Sequence, residues 1–209
     1  MRFCIFAVLM ASTLLAQKTK PKLPNEQWVS LFNGTDLTGW DKVGKEKWEV
    51  VDGAIHGQGI TKDYGYLQTI GKYKDFHLAL RFKCIGDGNS GVFFHTAFIP
   101  GTADVSQGLQ FEIDQTPNQH TGGIYGDGRQ WIVWPSPENE YVLHHDEWND
   151  YLLKVESNHY VARLNGVTII DFTDPTPKSF DGTIALQLHS GGKGNFSFKD
   201  INLRDLTVR

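Results

Sequence analysis

Residues 108–131, GLQFEIDQTPNQHTGGIYGDGRQW, hold the pattern that decides the fold. The first seven residues alternate, with apolar Leu109, Phe111 and Ile113 separated by polar residues. Side chains two positions apart on a strand share a face, so this alternation predicts a β-strand with one face in an apolar core. The opposite face then carries Gln110, Glu112 and Asp114.

The same period of two recurs along the chain after residue 28. Residues 76–84, FHLALRFKC, alternate over their whole length, and no window holds a helical period. Turn-forming DG, NG and GG pairs separate the segments. Many short strands with even turns predict an all-β, two-sheet antiparallel sandwich. Besides LQFEID and FHLALRFKC, strands are expected in SGVFFHT, YLLKVES, HYVARLNG, VTIIDF, GTIALQLHS and NFSFKDINLRDLTV. The segments YLLKVES, HYVARLNG and VTIIDF form two successive hairpins, of which the NG pair is the tighter turn.

The N-terminus has the composition of an export signal. Arg2 precedes 14 apolar or small residues that end at Ala16, a run shorter than the roughly 20 residues of a membrane span. We therefore predict a signal peptide over 1–16, a polar linker over 17–27 and a single domain over 28–209. Export to the periplasm or the cell exterior follows, with no membrane span.

Charge and cysteine content narrow the function classes. The formal net charge is −4 and the basic residues form no stripe, which argues against a nucleic-acid partner. Of the two cysteines, Cys4 lies in the predicted signal peptide, so Cys84 remains alone. An internal disulfide, a cysteine-based metal site and an N-terminal lipid anchor are therefore not expected.

Two further strands place polar or aromatic groups opposite their core residues. In NSGVFFHT, Asn89, Phe93 and His95 are expected on one face; in IALQLHS, Gln187 and His189 are. Each strand alone fits a solvent-exposed outer face. Together they carry amides, carboxylates and a ring with almost no lysine, a mixture typical of carbohydrate clefts. A cleft is predicted if the three strands are neighbours.

The loop after the strand GLQFEID supplies further candidate site residues. Tyr125, Asp127, Arg129 and Trp131 alternate in TGGIYGDGRQW. They fit either an extension of the cleft or a surface hairpin whose rings only pack.

An ordered set of motifs resembles a known family. LFNGTDLTGW, WEVVDGAIHG, YKDFHLALRFK, GNSGVFFH, GLQFEID, TGGIYGDGR, EWNDY and IALQLHSGGKGNFSFKDINLRDL occur in this order over Trp28–Arg209. Together they resemble the 3-keto-disaccharide hydrolase domain family, long labelled a domain of unknown function. The resemblance implies a concanavalin A-like jelly roll, export, and activity on 3-keto-glycosides. Where the family often has arginine at the end of the NSGVFF strand, this chain has His95, so a bidentate donor is lost.

The implied reaction is elimination followed by hydration. A base removes the hydrogen from sugar carbon 2 beside the ketone, an enolate forms, and the glycosidic oxygen leaves before water adds. By chemical type we assign Glu112 as base, with a pKa raised by Asp114, Arg129 as enolate stabiliser, and His95 or His189 as acid. A divalent metal ion held by Glu112, Asp114 and His189 is an alternative to Arg129. The expected sugar-binding side chains are Gln110, Asp114, Tyr125, Asp127, Gln187, Phe93, Asn89 and Trp131.

Three other functions are weighed against this one. The EID sequence is shared with retaining glucanases, but these need a second carboxylate soon after it, where Thr116 and Pro117 stand. A non-catalytic carbohydrate-binding domain would use Phe93, Tyr125 and Trp131 as stacking surfaces. A structural surface domain would leave the polar strand faces in solvent.

Overall fold

The computed structural model describes residues 27–116, 120–136 and 141–207, whose regular secondary structure is almost entirely β-strand and includes no α-helix. The predicted signal peptide and nearly all of the predicted linker lie outside the described residues. No helix in the described part of the chain is long and apolar enough to cross a membrane. The strands are β1 (Val29–Ser30), β2 (Trp40–Val43), β3 (Lys47–Val51), β4 (Ala54–Gln58), β5 (Gly65–Thr69), β6 (Phe76–Cys84), β7 (Asn89–Phe98), β8 (Val105–Asp114), β9 (Ile124–Gly126), β10 (Trp131–Val133), β11 (Asn149–Glu156), β12 (His159–Leu164), β13 (Val167–Thr173), β14 (Thr183–Leu188) and β15 (Asn195–Asp205).

These strands form two antiparallel sheets. The back sheet has the order β13-β12-β11-β6-β15-β4-β3, with β1 paired to β15. The front sheet has the order β10-β9-β8-β7-β14-β5-β2. Neighbours in each sheet are often distant in sequence, as expected for a jelly roll, and the predicted two-sheet sandwich is confirmed.

The core lies between the inner faces of the two sheets. Strand β6 alternates buried and half-buried residues along its whole length, as its sequence predicts. Its Leu78, Leu80 and Phe82 join Leu109 and Phe111 of the front sheet in one apolar cluster. Burial of about 25 cal/mol per Å² of apolar surface makes this cluster the main stabilising element.

The two predicted hairpins at the edge of the back sheet are also present. Strands β11, β12 and β13 pair in succession. Their second turn is the NG pair, where Asn165 and Gly166 both have positive φ angles of 48° and 87°. That conformation is typical of a type I′ turn and fixes the register of β12 against β13.

Strands β8, β7 and β14 are adjacent in the front sheet. The condition for a shared polar face is therefore met. Residues 108–114 of β8 and every residue of β14 are buried, so their outer faces are covered as well as their inner ones. A solvent-exposed outer face would show alternating exposure instead.

Candidate functional site

Two rows of paired residues cross the outer face of the front sheet. In one row Tyr125 pairs with Gln110, Gln110 with Phe93, and Phe93 with Ala185. In the other, Glu112 pairs with Gly91, and Gln187 pairs with Tyr66. Cross-strand partners point to the same side of a sheet, so the pairing brings side chains from five strands together.

Glu112 lies at the centre of a network of amide groups. Asn89 Nδ2 donates to Glu112 Oε1 at 2.6 Å, and Gln110 Nε2 donates to Glu112 Oε2. Gly91 makes this possible, since a Cβ at that position would lie 2.6 Å from Gln110 Oε1. The carboxylate is thereby held in a fixed orientation.

Glu112 is only 3% exposed, and the pKa of its carboxyl is raised to about 8. Burial is the largest cause, because it removes water from the charged form. The charge of Asp114 adds to the shift, while the amide donors from Asn89 and Gln110 oppose it. The pKa of Glu112 is raised, as predicted. Burial contributes more to the rise than the charge of Asp114, which was the predicted cause.

Three buried amide oxygens around this network have no hydrogen-bond partner among the described residues. They are Asn89 Oδ1, Gln110 Oε1 and Gln187 Oε1. Burying an acceptor without a partner costs on the order of 1–3 kcal/mol. Such acceptors suit a ligand that brings hydroxyl donors with it, and all three residues line the same pocket.

Aromatic rings form the walls beside these groups. Tyr66 contacts Phe93 edge to face at 5.4 Å between centroids and packs on Phe98 at 4.8 Å. On the other side, Tyr125 meets Trp131 at 5.4 Å. Ring faces and edges of this kind pack against the apolar face of a sugar.

Tyr66 also carries a hydroxyl in the pocket. Its oxygen accepts from Gln187 Nε2 at 3.5 Å, and it donates to none of the described residues. Burial raises its pKa to about 12, so the phenol keeps its proton at neutral pH. The hydroxyl is therefore able to donate to a bound ligand.

His189 follows the last residue of β14 and stands at the edge of the same pocket. Its Nε2 is 3.3 Å from the hydroxyl of Tyr64, and its Nδ1 is 3.1 Å from the carbonyl oxygen of Ser190. A protonated Nδ1 donates to the Ser190 carbonyl, whereas an unprotonated Nδ1 accepts from the Ser190 hydroxyl at 3.4 Å. The opposite nitrogen, Nε2, then faces Tyr64 and the pocket.

The pocket has a volume of about 540 Å³, enough for a small saccharide. Nine of the twelve predicted site residues line it: Asn89, Phe93, Gln110, Glu112, Tyr125, Asp127, Trp131, Gln187 and His189. Three do not, namely His95, Asp114 and Arg129.

The prediction that His95 shares the face of Phe93 is wrong. The pairing of β7 with β8 shifts register between Phe94 and Ala97, and His95 has a positive φ of 51°. This bulge turns the ring away, so its Nε2 lies 2.7 Å from the carbonyl oxygen of Lys74. Burial lowers the pKa of His95, which favours a neutral, structural imidazole.

Arg129 is also directed elsewhere. The segment from Asp127 to Gln130 forms the turn of the β9–β10 hairpin and does not continue the alternation of a strand. Both terminal nitrogens of Arg129 donate to Asp174, at 3.0 and 2.8 Å. Asp127 lines the pocket, but its Oδ1 accepts from the backbone N–H of Gly108 at 2.9 Å. Both side chains hold the hairpin in place.

Asp114 is buried beside Glu112 and caps its own loop, since its Oδ1 accepts from Thr116 N–H at 2.9 Å. Glu112, Asp114 and His189 do not form the metal-ligand set considered from the sequence. Within residues 27–116, 120–136 and 141–207, no three His, Cys, Asp or Glu side chains are grouped to hold a metal ion.

Two tyrosines in the pocket were not anticipated. Tyr64, Tyr66 and Gln68 alternate in YGYLQT and therefore share a face of β5 or its start. That alternation is the sequence signal that could have placed the two tyrosines on the pocket face. The segment is short, and it carries tyrosines where β8 carries an amide and carboxylates, so its sequence does not stand out as a site strand.

Comparisons with known proteins identify the family of the chain and related folds. A family model described as a 3-keto-alpha-glucoside-1,2-lyase-like domain matches residues 27–204. Over 77 residues the chain is 32% identical to a 3-keto-disaccharide hydrolase of Bacteroides thetaiotaomicron, a match that covers 32% of this chain and 27% of that protein. The chain is thus aligned with about a quarter of that relative's length.

Two solved structures have the same jelly-roll architecture. One is a candidate glycosyl hydrolase of Parabacteroides distasonis, at 22% identity and a TM-score of 0.66, covering 86% of this chain and 94% of that one. The other is the carbohydrate-binding module CBM66 of Bacillus subtilis, at 14% identity and a TM-score of 0.62, covering 80% and 96%. These likenesses concern the fold. Because the family model spans most of the chain, this protein belongs to the family of 3-keto-alpha-glucoside-1,2-lyase-like domains.

Proposed function

We propose that this protein is an exported hydrolase that cleaves 3-keto-glycosides by elimination and hydration in the front-sheet pocket. One observation carries the proposal: a buried carboxyl, Glu112, with a pKa of about 8, is held by two amide donors on the floor of the pocket. General bases work best when their pKa lies near the working pH. A sugar-binding surface has no need of such a group.

In the proposed reaction Glu112 takes the proton from carbon 2, and the electron pair moves to the ketone oxygen on carbon 3. The enolate then expels the glycosidic oxygen from carbon 1, and protonated His189 gives that oxygen a proton from Nε2. Water then adds to the resulting unsaturated ketone: its oxygen bonds to carbon 1 as it gives a proton to His189, and Glu112 returns its proton to carbon 2. The net change is hydrolysis of one glycosidic bond.

Tyr66 is the residue we assign to the enolate oxygen. Arg129 was expected in this role, but its guanidinium is bound to Asp174. The Tyr66 hydroxyl lies in the pocket and keeps a proton that it donates to none of the described residues. A donor aimed at developing negative charge in a site shielded from water lowers the barrier to enolate formation.

The experiment compares Glu112→Gln and Tyr66→Phe with the native protein on 3-keto-disaccharides and on their unoxidised parents. We expect Glu112→Gln to lower kcat by about 10²–10⁴-fold, because the base is lost. We expect Tyr66→Phe to lower it by about 10²–10³-fold, because one donor is lost while the ring packing stays. Calorimetry should find binding of the substrate to Glu112→Gln little changed.

Glu147→Gln serves as the control, since Glu147 is exposed and lies outside the pocket. Cleavage of the unoxidised parents at a similar rate would contradict the proposed substrate class and favour direct glycoside hydrolysis. Unchanged turnover in Glu112→Gln would remove Glu112 as the base.

A non-catalytic carbohydrate-binding role is the second candidate. The three unpartnered amide oxygens and the aromatic walls suit sugar recognition as well as they suit catalysis. If the native protein binds 3-keto-disaccharides or their parents without cleaving any of them, this role replaces the first.

A further inference from the structure

A second hollow adjoins the pocket and is larger, with a volume of about 930 Å³. It lies over β5 and β2, the strands at one edge of the front sheet. The two hollows share Tyr64, Ala103 and Asp104 in their linings, so they form one continuous groove. From β8 to β2 this groove crosses four inter-strand spacings, or about 19 Å, which exceeds what a single sugar ring needs.

One wall of the second hollow is held in place by the buried carboxylate of Glu46. Glu46 is 5% exposed and accepts hydrogen bonds from the backbone N–H groups of Ile60 and Thr61 and from the Thr61 hydroxyl. These contacts fix the segment that carries Lys62 and Tyr64 into the groove. The opposite wall is the turn between β7 and β8, closed by a hydrogen bond from Ile99 N–H to the Asp104 carbonyl at 2.9 Å.

The boundary between the hollows falls at His189. This residue lines the first hollow, Ser190 lines the second, and Tyr64, in contact with His189 at 3.3 Å, lines both. In the proposed function His189 protonates the departing glycosidic oxygen. A substrate placed with that oxygen beside His189 puts its 3-keto sugar over Glu112 and its leaving group in the second hollow.

The charged residues that line the second hollow indicate the sign of the charge on the leaving group. Lys42, Lys45 and Lys62 line it together with two carboxylates, Asp63 and Asp104. Three lysines against two carboxylates leave an excess of one positive charge in a protein whose net charge is −4. Lys42 Nζ donates to the Trp48 carbonyl at 2.7 Å, whereas the Lys45 and Lys62 ammonium groups contact no acceptor within the described ranges.

We propose that the second hollow binds the leaving group of the substrate and that this group is anionic, such as a uronic acid. The inference rests on the proposed function for its orientation in the groove. Lys45 and Lys62 supply the cationic contacts, and Gln68 and Thr102 supply neutral polar groups along the same lining. Charge-assisted contacts of this kind distinguish an acidic sugar from a neutral sugar of the same shape.

The test uses two 3-keto-disaccharides of the same linkage that differ only in the leaving sugar, glucose or glucuronate. Calorimetry measures their Kd for Glu112→Gln, which makes the result independent of turnover, and kinetics measures KM for the otherwise native protein. We expect the double variant Lys45→Gln/Lys62→Gln to weaken binding of the glucuronate compound about tenfold and to leave the glucose compound unchanged. The control is Lys47→Gln/Lys154→Gln, which makes the same charge change on the back sheet.

The outcomes separate this inference from the reaction on which it rests. Turnover of both compounds with no effect of the lysine pair on either Kd would overturn the anionic site and leave the reaction intact. Lysine-dependent binding of the glucuronate compound with no turnover in the native protein would support the site and overturn the reaction. An equal loss of binding for both compounds would mean that the lysines shape the groove without reading charge, which also overturns the inference.

Discussion

Glu112 joins stability to function at the scale of a single residue. Its ordinary pKa is near 4.5, and burial raises it to about 8 in the folded protein. Below about pH 4.5 both the folded and the unfolded chain keep the proton, so Glu112 does not lower the free energy of unfolding. Between these values the unfolded chain releases the proton and the folded chain does not. Stability therefore falls as the pH rises through this window.

We predict that Glu112→Gln removes this dependence. We compare the free energy of unfolding of the native protein with that of the variant. The native value minus the variant value should decrease by up to about 1.4 kcal/mol per pH unit from pH 5 to pH 8. Urea unfolding at pH 4.5, 6 and 8 measures it, and groups common to both proteins cancel in the difference. Parallel curves for the two proteins would contradict a raised pKa in the fold.

At this scale the sequence predicts those residues that sit on regular strands. Gln110, Glu112 and Gln187 line the pocket because the period of two holds through β8 and β14. The period fails at His95, where one bulge turns the side chain, and at Arg129, where a turn replaces the strand. Bulges and turns depend on contacts made by the whole fold, and a period alone does not encode them.

The β9–β10 hairpin is the element that Arg129 secures. Its strands carry Tyr125 and Trp131 into the pocket, and its turn is tied to Asp174 just beyond β13. The Asp174 side chain is 0% exposed, and the Arg129 side chain is 21% exposed. Asp174 also accepts from Thr176 N–H at 2.9 Å, a contact that orients the carboxylate independently of the arginine.

We predict that Arg129→Ala lowers the free energy of unfolding by about 2–4 kcal/mol, because a buried carboxylate loses its partner. Arg129→Lys should recover only part, since an ammonium replaces the two parallel contacts with one. Urea unfolding measures stability, and KM for a 3-keto-disaccharide should rise as the hairpin loosens. Asp174→Asn is the matched variant, because it removes the charge and one of the two acceptors of the same contact from outside the pocket. A large fall in kcat in Arg129→Ala with stability intact would instead restore the catalytic role.

Among the elements, the longest alternating segments were predicted best. Strands β6, β11, β12 and β13 show clear alternation or a clear NG turn, and each is present. Strands β3, β4 and β5 have five residues each and were not anticipated individually. A short strand needs its neighbours to bury it, so its own sequence carries less of the pattern.

The outer faces of the two sheets differ: the back sheet has a charged surface exposed to solvent, and the front sheet has a groove lined by buried polar groups. On the back sheet, Arg81, Lys83 and Lys199 surround the Trp148 ring at 5.7, 5.5 and 4.0 Å, as on an ordinary charged surface. On the front sheet, the buried polar groups face a groove that runs from Trp131 on β10 toward Lys42 on β2. Both ends of the groove lie on edge strands, which are held on one side only. A ligand in the groove is therefore expected to stabilise the least protected part of that sheet.

We predict that hydrogen exchange reports this difference. In the free protein, amides of the central strands β7, β8 and β14 should exchange slowly, and those of β2 and of the β9–β10 hairpin should exchange faster, because edge strands open more readily. Adding a 3-keto-disaccharide to Glu112→Gln should slow exchange in β5, β9 and β10, and a longer or anionic substrate should extend the slowing to β2. Strands β3 and β13 are the edges of the back sheet and serve as the internal control, with exchange unchanged by ligand. Slowing at β3 and β13 equal to that at the front edges would mean that the ligand stabilises the domain as a whole, and the groove would not be its binding site.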